Sequence, residues 1–337
     1  MKNKRPIISV GVITYNQEQT IRQTLDSIVC QQGDFNLEVV IGEDHGTDGT
    51  RAICEEYAAR YPSVVRLLPD ESNMGIMRNF ARVMKTCSGD YIAMCAGDDY
   101  WCDEHKLQKQ LDYFNAHPEV GVVSTSGYRF LVRRNQLIPN AIAPFRPLAD
   151  GNVRSFYFSP SYPGGVYAMP LSLLIRKEAL EKVNFDEFIR RDFPVEDYPM
   201  QAVISQYYKW GHINDLTVVY RVYKESATFI SFDSPKYLSY HKGLMNIRRY
   251  LNELFPADAC FTEEWMQDYE FYKEYLLYLH KWQYRKAKEL LARAAQTKAA
   301  GQPHYMQAKR MTSGWLKFVA FAIYKELSYR KDLKNRT

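Results

Sequence analysis

The run Tyr91-Ile92-Ala93-Met94-Cys95-Ala96 is apolar and strand-like, and it ends abruptly in Gly97-Asp98-Asp99-Tyr100-Trp101. Two adjacent carboxylates at the end of a buried strand repel one another and resist desolvation, and a cation between them offsets both costs. Carboxylate oxygens are hard ligands suited to Mg²⁺ or Mn²⁺, the ions that accompany diphosphates. A solvated acidic turn is the plain alternative for Asp98 and Asp99. Polar groups also close two earlier apolar runs, as Thr14-Tyr15-Asn16 and Glu43-Asp44-His45. Further on, Glu196-Asp197 directly precedes a helix in which Pro199 suits the first turn, and N-capping alone would explain an acidic residue there.

These groups sit on an alternating pattern. Ile7 to Ile13, Leu37 to Ile41, Val64 to Leu68, Tyr91 to Ala96 and Gly121 to Ser124 read as strands. Between them Ile21, Leu25, Ile28 and Val29, then Ile53 and Tyr57, then Ile76, Phe80, Val83 and Met84, then Leu107, Leu111 and Phe114 fall at helical spacing. Thr47 or Asp48 is expected to cap the second of these helices. The rhythm predicts an α/β fold with a mainly parallel, doubly wound sheet. Ligands of such sheets bind at the carboxyl ends of strands, where the three polar clusters lie. A dinucleotide-binding dehydrogenase shares the rhythm, but its phosphate turn requires glycines, and Thr14-Tyr15-Asn16-Gln17-Glu18-Gln19 has none.

With 337 residues, 46% hydrophobic and 25% charged, the chain is long enough for a full core plus an appendage. Its net charge of +5 is uneven: residues 236–337 hold 19 Lys/Arg against 10 Asp/Glu, and the remainder is mildly acidic. The six cysteines form no C-x-x-C pair and read as reduced thiols, several on apolar faces. No apolar run approaches the roughly 20 residues of a membrane span, and the basic start has no apolar stretch behind it. A cytoplasmic protein is expected, at most peripheral to the inner face of the cytoplasmic membrane.

Three blocks, in this order, resemble the family-2 glycosyltransferases of the nucleotide-diphospho-sugar transferase (glycosyltransferase A-type) fold. They are Ser9-Val10-Gly11-Val12-Ile13-Thr14-Tyr15-Asn16, then Val39 to Thr50 with its Glu43-Asp44 and Thr47-Asp48-Gly49-Thr50, then Asn73-Met74-Gly75 followed by Gly97-Asp98-Asp99-Tyr100-Trp101. The resemblance runs from about Ile7 to Thr228. It implies a catalytic domain over residues 5–234 and a helical C-terminal extension over 235–337. It also implies an inverting, metal-dependent transfer of a sugar from a nucleotide-diphospho-sugar donor, a UDP-sugar in expectation, to a saccharide or lipid-linked saccharide in polysaccharide biosynthesis. No nucleic-acid partner is expected.

By the same resemblance Tyr15 stacks on the donor base between Thr14 and Asn16, Glu43 and Asp44 reach base or ribose, and Asn73 belongs to the donor site. Asp98 is the Mg or Mn ligand, with Asp99 as a second ligand or a loop anchor. Asp197 is the base that takes the acceptor proton, supported by Glu196. Arg78 offers charge near the phosphates or is a solvated helix residue. Two departures stand out: Ala96 where relatives often have an acid, and Tyr223 where many have His. A sugar nucleotidyltransferase would carry a Gly-rich basic loop after the first strand. A catalytically inactive carbohydrate-binding or scaffold protein would keep the fold and release no nucleotide.

Two regions carry no motif. Phe156, Tyr157, Phe158, Tyr162 and Tyr167, among Pro160, Pro163, Gly164 and Gly165, read either as an acceptor platform or as core packing. In the tail, Tyr275, Leu276, Leu279, Trp282, Ala287, Leu290 and Leu291 suggest amphipathic helices. Trp315 to Lys325 combines an aromatic apolar face with nearby basic residues, suited either to an anionic membrane surface or to docking within the protein.

Overall fold

A computed structural model of the chain describes residues 5–69, 71–139, 150–158, 168–223 and 231–336, with side chains to residue 331. The first four strands alternate with helices as β1 (Ile7–Thr14), α1 (Ile21–Val29), β2 (Asn36–Glu43), α2 (Thr50–Arg60), β3 (Val65–Leu67), α3 (Ile76–Thr86) and β4 (Tyr91–Ala96). There follow β5 (Tyr100–Trp101), α4 (Lys106–Ala116), β6 (Val120–Leu131), β7 (Gln136–Pro139), α5 (Arg154–Tyr157), β8 (Leu174–Arg176), α6 (Lys177–Leu180), α7 (Phe185–Arg190), α8 (Asp197–Ile204) and β9 (Lys209–Val222). Beyond them lie α9 (Tyr237–Leu254), α10 (Glu263–His280), α11 (Tyr284–Ala294), α12 (Pro303–Met311) and α13 (Trp315–Arg336).

One sheet runs in the order β3-β2-β1-β4-β8-β6-β9-β5, with β7 on the side of β6. β3, β2, β1 and β4 are parallel; β1, β4 and the carboxyl half of β2 are buried on both faces, as crossover helices require, while Arg66 of the edge strand β3 is exposed. Beyond β4 the pairing turns antiparallel: β8 inserts between β4 and β6, and the short β5 pairs with β9. The chain therefore keeps the α/β, mostly parallel character expected of it. The strand anticipated at Gly121 to Ser124 continues to Leu131 because its far end pairs with β7. The helix cap differs as well. Gly49 occupies the cap position of α2, and Asp48, one residue earlier, accepts from the Thr50 amide at 3.0 Å and from Glu18 N at 3.1 Å.

Two compact units divide the chain, Met1–Leu131 with Asn135–Arg221, and Val132–Arg134 with Val222–Thr337. The first unit holds the sheet, whose core gathers Ile8, Val10, Val12, Leu25, Ile41, Trp101 and Phe114. Tyr157 and Phe158 belong to this interior. Tyr157 is buried, packs near Tyr198 and Trp210, and donates its hydroxyl to Gln201 Oε1 at 2.8 Å. These two residues are core rather than platform; Pro160, Tyr162, Pro163, Gly164, Gly165 and Tyr167 lie outside the described residues. In the second unit Phe271, Tyr275, Leu279, Ala287, Leu290, Tyr305, Phe318 and Phe321 form a core of their own. Trp282 is not in it. It is exposed, with a φ of 57° in the turn after α10.

All six cysteines stand as thiols outside any disulfide, and Cys54, Cys87 and Cys95 are buried. A buried lysine ties α4 to the sheet. Lys106 donates from Nζ to Gln110 Oε1 at 2.8 Å and lies 4.3 Å over the Trp101 ring. Gln110 Nε2 in turn donates to Val123 O at 2.7 Å and Ser172 O at 2.8 Å. Burial pushes the Lys106 ammonium down to about 7. Its folded value lies below its unfolded one, so the unfolded chain binds more protons between pH 7 and about 10.4, and stability rises with pH through that window. Lys106→Met removes this dependence. The stability of wild type should gain on that of the variant from pH 7 to pH 10, by at most about 5 kcal/mol, as read by urea titrations at each pH.

Candidate active site

The carboxyl ends of β1, β2 and β4 lie side by side, because Thr14 pairs with Glu43 and Ile13 with Ala96 across the parallel register. Thr14 is buried and donates its hydroxyl to Gln17 Oε1 at 2.7 Å, while its carbonyl accepts from Asp44 N at 3.0 Å. Tyr15 follows with its ring 47% exposed at the end of the strand. Asn16 turns the chain with a φ of 51°, a conformation that Asn tolerates better than most residues, and its Oδ1 accepts from Thr47 N at 2.7 Å.

Glu43 and Asp44 are both buried. Glu43 Oε1 accepts from Gly46 N at 2.7 Å, which closes the turn after β2. Asp44 is the staple for the next block: its two carboxylate oxygens accept from Met74 N and Gly75 N, each at 2.9 Å, and its carbonyl accepts from Asn73 Nδ2 at 2.9 Å. Gly75 needs to be glycine, since its φ of 82° with ψ of 159° is a conformation side chains resist. Asn73 thus acts through this turn, while Arg78 is exposed on the first turn of α3.

Gly97, just past β4, sits tightly against the end of β1. A Cβ there would lie 2.5 Å from both Thr14 Oγ1 and Gln17 Oε1. The Asp98-Asp99 turn is held from two sides. From α1, Thr20 Oγ1 donates to Gly97 O at 2.8 Å, and Thr24 Oγ1 lies 2.6 Å from Asp99 O. From β9, the Arg221 amide donates to Asp99 Oδ1 at 2.8 Å, and the Arg221 guanidinium reaches Asp98 O at 2.5 Å and the side chain of Gln23. The same guanidinium stands 4.7 Å over the Tyr100 ring.

The two acids therefore differ in kind. Asp99 is buried, and burial together with the Asp98 charge raises its carboxyl well above the usual range. Asp98 is half-buried; burial raises it too, against the lowering by the Arg221 charge and a Gln17 hydrogen bond. Asp99 spends an oxygen on the backbone of β9, which suits an anchor, whereas Asp98 is less buried. Among the described residues no group of three His, Cys, Asp or Glu side chains gathers as a full metal set. Magnesium-type ions are commonly held by one or two carboxylates, with water and phosphate oxygens completing the shell, so hard oxygens at Asp98 and Asp99 fit such an ion.

Glu196 and Asp197 stand at the start of α8, half-buried, in the same compact unit. Glu196 occupies the cap position without a side-chain cap bond, while Asp197 Oδ1 accepts from the amide of Tyr198 at 2.6 Å. Burial raises both carboxyls, and for Glu196 the neighbouring Asp197 charge adds to it. Among the described residues no hydrogen bond joins this pair to the Asp98 turn.

Residues 9–180 match the family model for Glycosyl transferase family 2, half of the chain. The chain belongs to that family. Relatives agree over different lengths. An uncharacterized protein of Mycobacterium tuberculosis is 45% identical over 115 residues, covering 34% of this chain and 33% of that protein. The chain thus matches about a third of that relative's length. The dTDP-rhamnosyl transferase RfbG of Shigella flexneri is 26% identical over 298 residues, covering 82% of this chain and 94% of RfbG. A crystal structure of S. aureus TarS 1–349 in complex with UDP-GlcNAc superposes with a TM-score of 0.52 at 16% identity, over 89% of this chain and 79% of that one. That likeness shows the glycosyltransferase A-type fold.

Arg221, Gln17, Thr20 and Thr24 were given no role by sequence pattern. The signal for Arg221 was a charged residue inside the apolar run Val218-Val219-Tyr220-Arg221-Val222, since such a charge is seldom buried unless paired. Arg221→Met removes the fork that grips Asp98 O and Gln23. Stability should fall by about 1–3 kcal/mol, and amide exchange should quicken in the segment 97–101 relative to β1, as mass spectrometry of exchanged peptides would show.

Proposed function

We propose that this chain is a metal-dependent, inverting glycosyltransferase that moves a sugar from a nucleotide-diphospho-sugar to a saccharide or lipid-linked saccharide acceptor in polysaccharide biosynthesis, with residues 5–234 as the catalytic domain and residues 235–337 as its helical extension. The observation that carries the reading is the juxtaposition of Tyr15, Asp44 and Asp98 on adjacent strand ends in a family-2 chain. The exposed Tyr15 ring offers a stacking face for the base beside the Asp44 turn. A pyrimidine nucleotide is favoured, a UDP-sugar as the sequence suggests or a dTDP-sugar by likeness to RfbG. The polysaccharide role draws on relatives named for such pathways, among them the minor teichoic acid biosynthesis protein GgaB of Bacillus subtilis.

Transfer breaks the bond between the anomeric carbon and the diphosphate oxygen and forms one to the acceptor oxygen, whose proton must leave. Asp98, with Asp99 and Arg221 fixing its turn, would hold Mg²⁺ or Mn²⁺, which when bound supplies charge stabilisation to the departing diphosphate. Asp197 accepts the acceptor proton. Its raised carboxyl, and that of Glu196 beside it, is nearer the value that suits a general base at neutral pH. One base opposite the leaving group allows direct in-line attack, so the configuration at the anomeric carbon inverts.

A panel of UDP- and dTDP-sugars with saccharide acceptors, scored by release of nucleoside diphosphate with and without Mn²⁺, tests the reaction; no release with any donor would remove it. Asp98→Asn should abolish metal stimulation and cut turnover at least about 10²-fold. Asp99→Asn keeps an acceptor oxygen for the Arg221 amide and should cost far less. Equal losses in the two variants would overturn the division between ligand and anchor.

Asp197→Asn preserves the contact to the Tyr198 amide and removes only basicity, so kcat should fall about 10²-fold to 10⁴-fold with the melting temperature unchanged. Wild-type kcat should rise with pH through a value above the ordinary carboxylate range. Product with retained anomeric configuration, read from the anomeric proton coupling, would exclude this role.

A further inference from the structure

Helix α13 has two unlike sides. Phe318, Phe321 and Ala322, at positions i, i+3 and i+4, are buried in the core of the helical unit. On the other side Leu316 is 81% exposed and Leu327 is 64% exposed, with Ile323 and Tyr324 exposed between them. Their spacing of seven, eight and eleven residues from Leu316 sets them on one stripe of the helix. Single exposed apolar residues are ordinary; a stripe of them marks a surface with a partner.

The charge around that stripe is mainly basic. Lys317 follows Leu316, Lys331 stands one turn beyond Leu327, and both are exposed. Glu326 is already engaged, accepting from Arg330 Nε at 2.8 Å and lying 2.9 Å from His280 Nδ1. Over its whole length α13 holds six Lys/Arg against two Asp/Glu. Trp315, half exposed, stands at the start of the helix.

We propose that this side of α13 lies on an anionic lipid bilayer, which is a partner beyond the sugar donor and acceptor. Such a surface takes aliphatic tips into its outer acyl region, accommodates Trp and Tyr at the polar boundary, and supplies negative charge to lysines. No helix among the described residues is long and apolar enough to cross a membrane, so the contact is lateral. A second copy fits less well: a stable dimer engages roughly 20 residues a side, and this stripe offers four apolar ones flanked by like charges.

The test uses the full chain and co-sedimentation with vesicles of phosphatidylcholine alone or mixed with phosphatidylglycerol. Wild type should bind the anionic vesicles at least about fivefold more than the neutral ones, and less at high salt. Leu316→Gln with Ile323→Gln and Leu327→Gln, and separately Lys317→Glu with Lys331→Glu, should fall to the neutral-vesicle level with melting temperatures unchanged. Equal wild-type binding to both vesicles overturns the proposal, as does full binding by the apolar variant. A wild-type dimer in light scattering that the apolar variant dissolves, without vesicle binding, overturns it in favour of a second copy. Vesicle binding is read without turnover, so its failure is separable from failure of the transfer reaction.

Discussion

Among the described residues, Arg221 is the cation that grips the acidic turn. Two adjacent carboxylates at the end of a buried strand would splay apart or draw water in unless something fixed them. The chain answers with a residue 122 positions after Asp99, whose amide holds Asp99 and whose guanidinium holds the Asp98 carbonyl and Gln23. Its charge also opposes the upward shift that burial imposes on both acids. The consequence is an asymmetry: Asp99 is tied to the backbone of β9, and Asp98 is the less buried of the two. Because Arg221 lies on β9, the turn is defined only once the antiparallel half of the sheet has closed on the parallel half.

The other two strand ends follow the same logic with backbone in place of a cation. Asp44 spends both oxygens on the amides of Met74 and Gly75, so the third block is fixed by the second. Thr14 and Gln17 crowd Gly97, so the first block is fixed against the fourth strand. A site built in this way is preorganised. The groups proposed to touch donor or metal are backed by hydrogen bonds that do not depend on either being bound, which is what electrostatic stabilisation of a leaving group requires.

The helical unit answers to a different constraint. It must bury an aromatic-rich interior, and Phe271, Tyr275, Tyr305 and Phe318 do so. It turns Phe318, Phe321 and Ala322 of α13 inward for that purpose and stacks Tyr324 on Phe321, and it leaves Leu316, Ile323 and Leu327 exposed on the other side.

Much of this was legible in the sequence. The strand and helix rhythm from Ile7 to Ala116 and the three polar strand ends follow from local periodicity, which short-range sterics and side-chain alternation govern. Membership of the family followed from the motif order Thr14-Tyr15-Asn16, Glu43-Asp44 and Asp98-Asp99. The insertion of β8 between β4 and β6, the continuation of β6 to Leu131 and the grip of Arg221 on the acidic turn were not legible, because each is a contact between residues remote in sequence. Tyr157 shows the same limit: its aromatic, Pro- and Gly-rich surroundings suit a sugar platform or a core equally, and only burial against Tyr198 and Trp210 decides. The sequence alone determined which residue types stand at which strand ends. Tertiary structure alone decided which of two neighbouring carboxylates is anchored and which is available, because that depends on where a distant amide and guanidinium come to rest.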